Sequence, residues 1–566
     1  MKQLKIYTLV LFLALSVLLG PALAQRKPAH ITASGIAAAV ASRGVDTISA
    51  AQLRTYLSFI ASDEMEGRDT PSRGLDTVAK FIAVNLTRWG FKPAGDDGTF
   101  FQKIALRRDQ VDATKTIAEI NGEKFNFGED FVSAVPGTIS GPLVYVGRGW
   151  IVQPKGIDDY QGVDVKGKVM VVYGQGFPQG ITQADLRGAQ PGTVVSPATY
   201  GQTHGAKGII TIVNPAATPS WEQLRQRAMQ PARAFPEKFL AQPRTLPANL
   251  AVPSVTVSAK MATVLLAGEK SDLATVTNRA PGAEPVAPFD FNSSKNVNIN
   301  IEASPSRVMT QNVVAVWEGA DPKLKDEYVA MGAHYDHIGV AGIGQCRAHN
   351  GDTICNGADD DGSGTTALLA MAEAVSHAKQ KPKRSVLFVW HCGEEKGLWG
   401  SQYFTSFPTI PLNHVVTQLN IDMIGRSKKA GDTDPRNKDL SGPNQIYVIG
   451  STMMSTELGK LSQDVNASFL KLDYDVRYDD PKDTNRFFFR SDHYNYAKKG
   501  IPIIFFFDGV HEDYHQAGDE AQKIDYDKME KVTRTIYMTL WEVANLPVRP
   551  KVDKPLPAQL NQQRGG

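Results

Sequence analysis

The sequence predicts an α/β protein, with a mixed, mostly parallel central sheet covered by helices and an inserted β-rich domain. Three observations carry this expectation. Two helical stretches open the chain, short β-like runs separated by Gly, Pro and Gln follow from about residue 130, and strands alternate with helices after Asn296. Alternation of that last kind implies a largely parallel sheet with covered faces. At 566 residues the chain is too long for one hydrophobic core, and two or three domains are expected.

The first residues stand apart. Lys2 and Lys5 precede an apolar run from Ile6 to Leu19, and Ala22-Leu23-Ala24 is a small-residue cleavage site. Residues 1–24 therefore read as a signal peptide, and the mature chain is expected to be secreted or periplasmic. The apolar run is shorter than the ~20 residues a membrane span needs, and no stable membrane insertion is expected after cleavage. Cleavage removes two lysines and no acid, so the formal charge falls from +2 to 0. No basic face then points to nucleic acid or to an anionic membrane.

Residues 25–45 read as a loose lead-in. Ser49-Ala-Ala-Gln52 looks like a capping box, followed by Leu53, Leu57 and Ile60 at helical spacing. A second helix carries Val78, Phe81, Ile82 and Leu86 and stops at Gly90. Residues 131–285 are expected to form the insert, with β-like runs at Leu143–Val146, Val169–Val172 and Gly208–Val213. Residues 214–250 read as a long loop with one helix, and Pro281 to Pro288 marks the exit. The main domain then comprises 46–130 and 286–546. Its expected strands are Tyr328–Met331, Val386–Trp390, Val415–Ile421, Ile446–Ile449 and Pro502–Phe507. Its expected helices are Ser363–His377 and Asp525–Asn545, the latter with Met529, Val532, Ile536, Leu540 and Val543 on one stripe. Residues 547–566 form a polar tail.

Several of these strands end in acidic or histidine-bearing motifs, where open α/β sheets build their sites. His334-Tyr-Asp336-His337 follows the first, and residues two apart in extended chain face the same way. His334 can ligate a metal while Asp336 accepts from its imidazole or orients the site. Asp359-Asp360-Asp361 precedes a helix; three adjacent carboxylates repel unless a cation or solvent answers them. Glu394-Glu395 suits a split between metal ligand and proton shuttle. Asp422 ends an apolar strand and needs a partner if buried. Asp513-Tyr514-His515 follows the last strand. Each motif alone has an ordinary reading: a structural histidine, a helix cap, a solvated pair, a polar strand end, a surface loop. His337, His391, His493 and His511 read as structural or as supports for ligands. Arg490 reads as half of an internal salt bridge or as a substrate-carboxylate binder, and the Phe runs 487–489 and 505–507 as core and pocket wall. Of the three cysteines, Cys346 and Cys355 flank a short polar stretch that a disulfide could close, and Cys392 reads as a buried thiol.

Together the motifs resemble the co-catalytic zinc peptidase family that includes bacterial leucyl aminopeptidases and glutamate carboxypeptidase. Leu57 to Gly67 (LSFIASDEMEG), Arg490-Ser-Asp-His493 and Gly500-Ile-Pro502 resemble it as well, and Thr203 to Val213 (THGAKGIITIV) makes the insert similar to a protease-associated domain. The resemblance implies two Zn2+ per chain. His334 and Asp422 would hold one, Glu395 and His515 the other, and Asp360 would bridge them. It further implies Glu394 as general base, Asp336 as a supporting group, Tyr514 as donor to the developing oxyanion, and a cis bond between Asp360 and Asp361. The function implied is an exopeptidase acting on peptide or protein substrates, an aminopeptidase first. A carboxypeptidase or dipeptidase on the same scaffold is the nearest alternative, followed by a glutaminyl cyclase and by a non-enzymatic binding module. The insert could carry partner contacts.

Overall fold

The computed structural model describes residues 39–556, apart from 175–176, 179, 183–191, 214–219, 230–233, 241–251, 278–285 and 343. The expected signal peptide and the end of the polar tail lie outside the described residues.

The central sheet is built on eight principal strands: β1 (Phe101–Val111), β2 (Ala303–Trp317), β3 (Tyr328–His334), β4 (Ser385–His391), β5 (Val415–Ile421), β6 (Gln445–Ile449), β7 (Asp473–Asp475) and β8 (Ile503–Phe507). Their spatial order is β1-β2-β4-β3-β5-β8-β6-β7. The four middle strands, β4, β3, β5 and β8, run parallel. The flanks turn antiparallel where β1 meets β2, β2 meets β4 and β8 meets β6. The sheet is thus mixed, as expected, with a parallel middle and one further parallel pair, β6 with β7, at its edge.

Successive side chains on these strands point to opposite faces, and two cores result. Phe388, Trp390, Ile504 and Phe506 enter one. Leu387, Val389, Ile503, Phe505 and Phe507 enter the other. Against the first face pack α1 (Ala50–Ile60), α2 (Arg73–Arg88), α3 (Gly364–His377) and α6 (Tyr526–Asn545). Against the second packs α4 (Trp399–Ser406), through Phe404. Between them in sequence comes α5 (Thr456–Ser468), which packs on α6. Ser49 caps α1 by accepting from Gln52 N at 3.2 Å, and Asp525 caps α6 by accepting from Lys528 N at 3.1 Å. These caps satisfy backbone donors that a helix start leaves open. The stripe expected on α6 is fully buried.

The largest departure from expectation is the β1–β2 ribbon, paired from Phe101↔Val313 to Val111↔Ala303. It lifts the insert away from the central sheet. Strands at Ile117–Ile120 and Val297–Ile301 pair beyond its tip, so the second body reaches past both ends of the 131–285 span. That body has its own sheet, in which Leu143–Tyr145, Val169–Tyr173, Gly208–Ile212 and Ser254–Val257 lie parallel, and its own core. Among the described residues of 214–250 there are two helices, Trp221–Met229 and Glu237–Leu240. The segment before the second returns to the main domain. Phe235–Pro236 adds to the edge of β1, and Phe239 packs on Tyr403 and Phe407 at 5.9 and 6.2 Å between ring centroids. No helix among the described residues is long and apolar enough to cross a membrane.

Two predictions follow from this packing. Gly74 opens α2 directly over the Met65 carbonyl, and a Cβ there would lie 1.7 Å from that oxygen. Gly74→Ala is expected to cost about 1–3 kcal/mol of unfolding free energy by overpacking, read as a lower denaturation midpoint. Cys346 and Cys355 are disulfide-bonded, and Cys392 is free and buried. A thiol reagent is expected to find no reactive group in the native chain and one after unfolding without reductant; three would disprove the pairing.

Candidate metal centre

The parallel strands deliver their C-terminal ends to one place. His334 is the last residue of β3, Glu394 and Glu395 follow β4, and Asp422 follows β5. Asp360 comes from the irregular turn Ala358–Ser363 that leads into α3. The peptide between Asp360 and Asp361 is cis, as the resemblance implies.

The three consecutive aspartates are sorted by their partners. Asp361 accepts from the backbone N–H groups of His334, Met423 and Gly364 at 2.9–3.1 Å. Asp359 accepts from Gly425 N at 2.7 Å and faces His511 Nε2 at 3.3 Å. Asp360 turns to His334 and His515. Its Oδ1 lies 3.3 Å from His334 Nε2, and its Oδ2 lies 3.2 Å from His515 Nε2.

Around Oδ1, His334 Nε2 is also 3.5 Å from Asp422 Oδ1 and 3.9 Å from Glu394 Oε2. The other ring nitrogen, Nδ1, lies 3.1 Å from the Asp336 carbonyl. A carbonyl only accepts, so Nδ1 carries a proton, and Nε2 is the ring atom that faces the carboxylates. Around Oδ2, His515 Nε2 is 3.1 Å from Glu395 Oε2, and His337 Nδ1 is 2.9 Å from Glu395 Oε1. Burial alone would lower the His515 imidazole, but Asp360 and Glu395 outweigh it and push it up to about 10. Burial and Asp360 would raise Glu395, yet His337 and His515 hold it at about 2. Burial pushes the Glu394 carboxyl well above the ordinary range, with Glu395 and Asp422 adding to the effect against His334.

His337 Nε2 is buried with no hydrogen-bond partner, and Asp360 Oδ2, Glu395 Oε1 and His337 Nδ1 face one another's side chains at close range without hydrogen-bond geometry. Such atoms are costly unless something answers them. Three groups among the described residues have ligand atoms that all lie within 4.8 Å of one another: His334–Asp360–Asp422 and His337–Asp360–Glu395 share Asp360, and His511–Glu512–Asp513 lies on the loop before His515. Imidazole nitrogens and carboxylate oxygens in sets of three suit zinc with positions left open. The residues present therefore fit a pair of zinc ions sharing Asp360.

The supports are as specific as the ligands. Asp336 accepts from Glu394 N at 3.1 Å and from Thr70 Oγ1 at 3.1 Å, while Thr70 accepts from Gly393 N at 3.0 Å. Asp519, four residues beyond His515, accepts the backbone N–H groups of Asp359 and Asp360 at 3.0–3.1 Å. Arg426 ties the same loop down through Asp513 at 2.9 Å. Arg68 is fully buried and donates to the carbonyls of Tyr335, Ile60, Asn356 and Gly357 at 2.6–2.9 Å. It stitches the loop after His334 to the turn that carries Asp360.

The structure thus brings together His334, Asp336, Asp360, Glu394, Glu395, Asp422 and His515. Tyr514 lies beside them, its ring stacked on His515 at 4.0 Å. A cavity in front of the cluster is lined by Glu394, Asp422, Tyr514 and Arg490 on its polar side and by Phe487, Phe505 and Phe507 on its apolar side. His337 was expected among the supports but joins the second ligand group. β3 ends at His334, so strand alternation does not fix the side on which His337 lies. His391 pairs with Asp492 and Tyr496, and His493 with the Phe488 carbonyl. Arg490 enters no ion pair among the described residues; it donates to Tyr514 Oη at 3.2 Å. Arg68 was missed although it directly follows the LSFIASDEMEG segment.

Comparison with known proteins agrees with this chemistry. Residues 312–540 match the sequence profile of Peptidase family M28. A probable zinc metalloprotease of Pyrenophora tritici-repentis is 28% identical over 260 residues, 42% of this chain and 58% of that protein. Leucine aminopeptidase 2 of Trichophyton rubrum is 25% identical over 287 residues, 46% of this chain and 50% of that protein. The chain therefore spans about half the length of these relatives. Among solved structures, the aminopeptidase from Aneurinibacillus sp. strain AM-1 superposes with a TM-score of 0.47 at 17% identity, over 90% of this chain and 97% of that one. The matched stretch, residues 312–540, carries every histidine and carboxylate of the cluster.

Proposed function

We propose that this chain is an exported zinc-dependent exopeptidase, an aminopeptidase that holds two zinc ions. One observation carries the reading: the two oxygens of buried Asp360 face two different imidazoles, each grouped with a further carboxylate. His334 and Asp422 would hold one ion, Glu395 and His515 the other, and Asp360 both, with His337 beside the second. When bound, the ions would supply Lewis acidity, lowering the pKa of a water and polarising the scissile carbonyl.

The chain's own groups do the rest. Asp336 fixes the Glu394 amide, so the Glu394 carboxyl is held at the mouth of the cluster. There it takes the proton of the attacking water and returns it to the leaving amine. The Tyr514 phenol lines the same cavity and donates to the carbonyl oxygen as charge builds on it. The Phe wall of that cavity favours an apolar first side chain. The name of one relative, leucine aminopeptidase 2, supports the aminopeptidase reading, and that of the other, a probable zinc metalloprotease, supports zinc. Export rests on the leader sequence and on the Cys346–Cys355 disulfide, which suits an oxidising compartment. The insert is read as a protease-associated domain.

The experiment pairs metal analysis with hydrolysis of leucine anilide and its N-acetylated form. The expected result is about two zinc ions per chain, chelator-sensitive cleavage of the free amine substrate and none of the blocked one. Equal cleavage of both, or one ion per chain, would overturn the proposal. Glu394→Gln is expected to keep the metal and lose turnover by about 10²–10⁴-fold. Asp360→Asn is expected to lose metal from both positions, read as zinc retained after dialysis.

A further inference from the structure

We infer that Arg490 is a positioning residue that aims the phenol proton of Tyr514 into the cavity where the scissile carbonyl sits. The inference rests on the peptidase reading above and deepens it. Its core is the directionality of one hydrogen bond. A guanidinium has donors and no acceptor. Arg490 lies 3.2 Å from Tyr514 Oη, so in that contact the phenol oxygen accepts. The phenol's own proton must then point elsewhere. Among the described residues nothing within hydrogen-bond distance accepts it.

What remains open is the cavity that both residues line together with Glu394 and Asp422. A substrate carbonyl oxygen entering there is an acceptor without a donor, and the phenol is a donor without an acceptor. A water in place of the guanidinium could donate or accept and would leave the proton free to turn away. The cation also favours negative charge growing on an oxygen that the phenol touches.

The guanidinium is held for this task. It sits over the Phe487 ring at 5.1 Å and over the Tyr514 ring at 5.7 Å, the geometry of cation–π contact. No carboxylate of the described residues pairs with it and draws it off. The same freedom admits one rival role, capture of a substrate carboxylate, and the two roles predict different kinetics. A carboxylate anchor acts on substrates that carry a carboxylate and acts through KM. A group that orients Tyr514 acts on every substrate, through kcat, and only while the phenol is present.

The test uses the full chain loaded with zinc, as wild type, Arg490→Met, Arg490→Lys, Tyr514→Phe and the Arg490→Met/Tyr514→Phe double variant. Leucine anilide and a leucyl dipeptide are the substrates. Arg490→Met is expected to lower kcat about ten-fold on both, with KM changed less than about two-fold. Arg490→Lys restores part of the loss, and in the Tyr514→Phe background Arg490→Met adds less than about two-fold. A loss confined to KM for the dipeptide would replace the proposal with carboxylate binding, and an undiminished loss in the Tyr514→Phe background would overturn it. A second readout needs no catalysis. The ζ-carbon NMR resonance of 13C-labelled Tyr514, assigned with Tyr514→Phe, is expected to move in Arg490→Met and to stay near its place in Arg490→Lys. An unmoved resonance would refute the hydrogen bond even if the chain proved inactive, and inactivity with a moved resonance would count against the peptidase reading alone.

Discussion

Three neighbouring aspartates can be buried side by side only if each is answered by a different group, and the rest of the site depends on how that is done. Like charges at such spacing repel strongly in a medium of low polarity. Asp361 spends its charge on three backbone N–H groups, and those belong to the end of β3, the residue after Asp422 and the first turn of α3. Asp359 spends its charge on Gly425 and His511. Each thereby nails down a segment that carries a candidate ligand. Asp360, left between them, has no backbone donor on its carboxylate and must look outward. The pair of histidines it meets is therefore set by its neighbours as much as by itself.

The surroundings extend the same logic. Asp519 reaches back from the loop of His515 to hold the backbone of Asp359 and Asp360. Arg68 binds carbonyls rather than carboxylates, and its charge still lies among Asp336, Asp360, Asp361 and Asp519. A buried cation so placed offsets negative charge without competing for the oxygens that face the imidazoles. Removing one member of such a network leaves the others uncompensated, the costly way to disturb buried charge.

Much of this was legible in the sequence. The middle strands announce themselves as apolar runs because both of their faces are covered, and β5 was delimited to the residue. The ligand-bearing motifs stand out because polar residues end those runs. What stayed hidden has physical causes. The outer half of the β1–β2 ribbon, Arg107–Val111 against Ala303–Arg307, is polar, and its strands lie about two hundred positions apart, so neither hydrophobic pattern nor proximity betrays that pairing. His337 lies where the chain leaves its strand and facing rules lapse. Arg68 and Asp519 act on backbone groups, which leave no mark in side-chain pattern. Among the three aspartates the choice of Asp360 came from resemblance, and the structure supplies the physical ground for it in the partners of the other two.

The return of Phe235 and Phe239 to the main domain bears on how the two bodies are joined. Chain enters the β-rich body along β1 and leaves it along β2. If those were the only ties, it could rock about the ribbon as on a hinge. Edge pairing at Phe235–Pro236 and the seat of Phe239 on Tyr403 and Phe407 add a third footing, on the flank of α4. Three footings make a tripod, and a tripod resists tilt in every direction. Excising the body at its two covalent junctions would therefore strip apolar cover from α4, the helix that begins just beyond Glu394 and Glu395.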